Sequence, residues 1–215
     1  MSYTEIYGVP EVGGMSMIGE VHNAHRGAMA IWEAIAQTYC GMDHFPISGD
    51  AMPVWNMWMD ETVPFEHRVV LASTFDSVMV RRDHIPELIR CMGAFDAAFQ
   101  GRTNLPDQMV ILGVAADDSR WVAVAWNQTS VNEAWWIPSD HPDAARPFDL
   151  SRDAADRMTN GTRAAWLVIS DGHVNVIDIS LMLDPDTDVP WEAHHDRLVS
   201  YRNQLEILMR EASET

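Results

Sequence analysis

The chain contains no lysine; all 14 of its basic residues are arginine. That absence excludes the P-loop lysine, Schiff-base and pyridoxal-phosphate chemistry, kinases of the usual kind and Ser–Lys hydrolases. Cysteine is scarce as well, with Cys40 and Cys91 the only two. Each falls in a stretch that reads as helix, so both are expected to be reduced core residues of a cytoplasmic protein. No apolar run approaches the ~18 residues of a membrane-spanning helix. The opening MSYTEIYGVPEVGG has no basic region followed by an apolar run, so no signal peptide is expected. A GxSxG elbow, an HExxH helix and a glycine-rich nucleotide fingerprint are all missing.

What is abundant is acid. Aspartate and glutamate number 20 and 12, giving a net charge of −18. The charge is uneven: residues 1–63 carry 8 acids and 1 arginine, residues 64–104 carry 5 of each, and residues 164–215 carry 10 acids and 3 arginines. Nucleic acid and anionic membrane both attract positive charge, so neither is an expected partner. A basic protein partner, or mimicry of DNA by Asp184, Asp186, Asp188 and the acids that follow, fits better. Much arginine and aspartate without lysine is also what a GC-rich genome produces, as in a small accessory protein of such a bacterium or its phage.

Length and an apolar fraction of 47% suit one domain over 1–215. Tyr3–Tyr7 and Met15–Val21 read as a hairpin leading to a helix with Asn23 as N-cap and Gly41 as terminator. Its stripe is Ala28, Ile31, Trp32, Ile35, Ala36 and Tyr39. A short helix over residues 64–73 is expected, capped by Thr62, then a strand over 75–80. Asp83 is expected to cap a helix with Ile85, Leu88, Ile89, Met92, Phe95 and Phe99 on one face. Residues 109–127 read as two β-rich runs, MVILGVAA and RWVAVAWN, joined at Asp117–Ser119. Asp171-Gly172 joins the clearest hairpin, and Pro190 opens a C-terminal helix. The class is therefore α+β: a mainly antiparallel sheet built from hairpins, with three longer helices packed against it.

Three sets of residues stand out as sites. Met52, Trp55, Trp58 and Met59 load a turn-rich stretch with large soft side chains that suit an adaptable partner-binding surface. His22 and His25, with Glu20, could ligate one divalent metal, zinc by ligand type, beside a third ligand from elsewhere. Asn127, Gln128, Thr129 and Trp135 follow a strand as pocket-lining types, and Arg81 and Arg82 could grip an anion. The leading expectation is a non-enzymatic cytoplasmic accessory or regulatory protein acting through a protein partner, without cofactor. A metal-dependent hydrolase or metal-binding protein at His22 and His25, and an acidic DNA mimic, are the alternatives.

Overall fold

A computed structural model describes residues 2–10, 13–47, 51–75, 78–128, 147–148, 165–170 and 172–178. Six strands form one sheet: β1 (Tyr3–Val9), β3 (Ser16–His22), β4 (Val78–Arg81), β5 (Ala123–Gln128), β7 (Ala165–Ser170) and β8 (His173–Asp178). Their order is β3-β1-β5-β4-β7-β8, antiparallel at every step except the parallel β4–β7 pair. Two-residue strands β2 (Gly13–Gly14) and β6 (Pro147–Phe148) pair separately.

Five helices accompany the sheet: α1 (Ala28–Tyr39), α2 (Met52–Trp55), α3 (Phe65–Ala72), α4 (Ile85–Ala98) and α5 (Leu105–Asp117). One core unites them with Ile6, Val78, Val80, Val124, Trp126, Leu167, Ile169 and Val174, which alternate along their strands onto one face. Tyr7, Val9, Met79, Ala123, Ala125 and Val168 take the alternate positions and are buried too. Among the described residues no helix is long and apolar enough to cross a membrane.

The α+β class, the β1–β3 hairpin and the β7–β8 hairpin agree with the sequence reading. Gly172 takes a φ of 83°, the conformation that Asp-Gly supplies to tight hairpin turns. Helix α1 buries Ala28, Ile31, Trp32, Ile35 and Ala36 as expected and ends before Gly41, at φ 65°. Cys91 is buried and Cys40 half-buried, and both are free thiols.

Other expectations are corrected. Residues 109–116 are not a strand but lie in α5, a 13-residue helix. Its buried positions, Leu105, Gln108, Leu112 and Ala115, recur at helical spacing, and Pro106 fits the first turn. The β-branched Val110 and Val114 that suggested a strand are 70% and 69% exposed on the outer side. The third long helix among the described residues is thus the one read as β. Asn23 does not cap α1, which starts five residues beyond it, after Gly27, with no side-chain cap. Thr62 donates to Asp60 rather than capping α3. Asp83 lies in a 3-10 turn, Arg82–His84, whose chain runs straight into α4, and it faces Arg81. The helix expected after Pro190 and the acids proposed for DNA mimicry lie outside the described residues.

Candidate functional site

A buried polar chain sits where β1, β5 and α5 meet. The Trp126 indole N–H donates to Gln108 Oε1 (3.2 Å), and Gln108 Nε2 donates to Asn104 Oδ1 (2.8 Å). Asn104 Nδ2 donates to Asn23 Oδ1 (3.0 Å), which also takes the Thr4 hydroxyl (2.6 Å). Gln128, level with Thr4 across the β1–β5 ladder, lies 2.7 Å from the same hydroxyl. A hydroxyl holds one proton, so Asn23 Oδ1 and Gln128 Oε1 are alternative acceptors for it. Thr4, Asn23, Asn104, Gln108 and Gln128 are all buried, and polar groups at such depth require partners of this kind.

The chain's purpose is positional. Asn23 also holds the turn after β3: its N–H reaches Ser2 and its carbonyl takes the Arg26 N–H, while the Asn104 N–H bonds to Arg26 O. Gly27 closes the turn, since a Cβ there would stand 2.6 Å from Asn23 Oδ1. Within this clamp Ala24 and His25 hold φ values of 42° and 65°. Left-handed backbone costs such residues about 1–3 kcal/mol each and persists only where the surroundings over-determine it.

His25 thereby lines a groove of about 440 Å³ between α1 and the α4–α5 turn. The opposite wall is Ala98–Gln100 with Arg102 and Thr103, and it holds the remaining described non-glycine residue with positive φ, Gln100 at 62°. Thr103 is fixed there by its hydroxyl bond to Asp96. Glu33 lines the α1 wall with its oxygens occupied: Gln37 Nε2 and His44 Nδ1 reach Oε1, and the Phe45 N–H reaches Oε2. These bonds hold the Glu33 carboxyl below its ordinary range despite its partial burial, and the carboxylate raises the His44 imidazole. Behind the groove, Phe99 and Phe95 flank the His67 ring, whose Nδ1 meets the Tyr39 hydroxyl at 2.6 Å. Burial lowers the His67 pKa, keeping the ring neutral.

The second candidate is the surface segment around α2. Val54 is fully buried, and the Trp55 ring stands edge-on to Trp32 at 5.9 Å and near Phe45 at 6.2 Å. A 3-10 turn, Asn56–Met59, continues from α2 and sets Trp58 half-buried against the core. Trp55 and Trp58 are therefore anchors more than contact residues, whereas Met52 and Met59 are 52% and 55% exposed. Ile47, just before this segment, is 83% exposed.

The metal candidates separate. Glu20 and His22 are exposed on β3, at the sheet's edge, with His22 packed edge-on to Tyr3, while His25 turns into the groove. Among the described residues no three His, Cys, Asp or Glu side chains are grouped so as to hold a metal ion. The pocket candidates separate too. Arg81, paired with Asp83, lies opposite Ala123 at one end of β5, with Arg82 next to it. Asn127 and Gln128 lie at the other end, about 15 Å away at strand spacing. There Asn127 binds Glu5 and Gln128 joins the buried chain. Thr129 and Trp135 lie outside the described residues. As a nucleophile Cys91 is inert, since burial pushes its thiol up to about 12.

The groove was missed by sequence reasoning. His25 was singled out, but for a metal; Gln100, Arg102 and Thr103 carry no motif, and a Gln-Gly pair at a helix end was the one local sign of the turn that shapes the wall. Compared with known proteins, the chain matches no protein-family model, no curated protein and no solved structure.

Proposed function

We propose that this protein is a non-catalytic cytoplasmic accessory or regulatory factor that docks on a protein partner through residues 52–59 and the nearby Ile47. One observation carries the reading. Of the seven large apolar side chains exposed among the described residues, Ile47, Met52 and Met59 fall within thirteen positions. Buried Val54, and Trp55 edge-on to Trp32, fix the backbone beneath the two methionines, so little ordering entropy remains to be lost on binding. Methionine adapts to irregular apolar clefts.

The surrounding charge selects the partner. Residues 41–63 contain Asp43, Asp50, Asp60 and Glu61 and no arginine. An apolar cleft rimmed by arginine or lysine is complementary, with the rim charges governing association rate more than final affinity. The test is capture from cells with tagged wild type and a Met52→Ser/Met59→Ser double variant of equal thermal stability. The expected result is a partner retained by wild type, lost by the variant and weakened by salt. Equal recovery by both proteins would refute the reading.

A further inference from the structure

The groove beside His25 shares no lining residue with the surface formed by Ile47, Met52 and Met59 and has its own chemistry. Its half-buried lining is mostly apolar: Met29, Ala30, Ala34 and Phe99. Its exposed lining is mostly polar: His25, Gln37, Thr38, Gln100 and Arg102. A cleft of about 440 Å³ with an apolar bed and a few polar groups has the size and make-up of a small-molecule site. Both walls are set by left-handed residues, His25 and Gln100, in turns that the surrounding hydrogen bonds hold in place.

Charge decides the ligand. Arg102 forms no ion pair or hydrogen bond among the described residues, so its fork of donors is available. Glu33 is the acid in the lining, and both its oxygens are already engaged by Gln37, His44 and the Phe45 N–H. Asp96, near Gly101, accepts the Thr103 hydroxyl. One guanidinium beside an apolar bed matches a single planar anion on an apolar body.

We propose that this groove binds a small amphipathic carboxylate, its anionic end on Arg102 and its apolar body over Met29, Ala34 and Phe99. Phosphate esters fit less well, because a dianion would face a single arginine with Glu33 nearby. His25 and Gln100 supply further donors at the exposed edge of the same site.

Three probes of one shape separate charge from apolar burial: phenylacetate, 2-phenylethanol and 2-phenylethylamine. Each is titrated into full-length protein while backbone amide shifts of Thr38 and Gln100–Thr103 are followed by NMR. Phenylacetate is expected to shift these amides saturably, the alcohol more weakly and the amine least. Arg102→Gln, at an exposed site, is expected to weaken phenylacetate about tenfold or more while leaving the alcohol unchanged, since a charge-assisted bond contributes at least about 1.4 kcal/mol. Ala34→Trp, which fills the bed, is expected to abolish binding of all three probes. The proposal is overturned if the amine binds as well as the acid, if Arg102→Gln leaves phenylacetate affinity unchanged, or if no groove amide shifts at about 10 mM probe.

Discussion

The corner where β1, β5 and α5 meet buries five polar side chains, while Ile47, Met52 and Met59 leave large apolar surface in water. In the corner each amide binds the next, from Trp126 through Gln108 and Asn104 to Asn23 and Thr4. Removing one member strands its neighbours without water, so the set behaves as a unit. On the surface segment Met52 and Met59 touch solvent, and the packing is done beneath them by Val54 and Trp55. The difference separates two tasks. Buried amides fix the shape of a strained turn, and exposed methionines present apolar surface to solvent.

Substitutions should reproduce that separation. The largest effect is expected for Asn104→Ala, which leaves the Gln108 amide without its acceptor and removes a donor from Asn23. A loss of about 3 kcal/mol in urea unfolding is predicted, in line with stranding buried hydrogen-bonding groups. A loss below about 0.5 kcal/mol, the range of ordinary surface changes, would show that the chain of amides is not a unit.

Next in size is a pH effect. His67 is neutral in the fold because burial against Phe95 and Phe99 lowers its pKa, so the unfolded chain binds the proton first as pH falls. Its contribution is complete above the ordinary histidine pKa of about 6.5 and is lost as pH falls from there toward the depressed folded value, at up to about 1.4 kcal/mol per pH unit. His67→Phe should flatten that part of the stability–pH curve, and an unchanged slope would assign the pH dependence elsewhere.

A smaller and opposite effect is expected at Gln100. Glycine at φ 62° carries no Cβ penalty, so Gln100→Gly should raise stability by about 1 kcal/mol in the same unfolding assay. No gain would mean that the groove wall is not strained there. The smallest effect belongs to the other region. Met52→Ser with Met59→Ser should change the unfolding free energy by less than about 0.5 kcal/mol.

Much of the architecture was legible because burial imposes periodicity. The stripes of α1 and α4 and the Asp-Gly hairpin could be read directly from spacing and turn chemistry. Helix α5 was not, because Val110, Ile111 and Val114 look like strand residues, and their partly or largely exposed positions hide the helical spacing of Leu105, Gln108, Leu112 and Ala115. Asn23 was recognised as a structural residue but given a local partner, whereas its partners, Thr4 and Asn104, lie 19 and 81 residues away. Trp55 shows the same limit: apolar side chains in a turn-rich stretch mark a surface, and which of them faces inward depends on Trp32 and Phe45. The groove depends on two turns distant in sequence, so no local pattern announces it.

The central claim, that residues 52–59 with Ile47 form the docking surface, is tested most directly by photo-crosslinking in cells. A photoreactive residue replaces Met59 in one protein and the still more exposed Val110, on the outer side of α5, in another. Partner adducts at position 59 and none at position 110 are the predicted result. Adducts of the same protein at both positions, or at 110 alone, would contradict it.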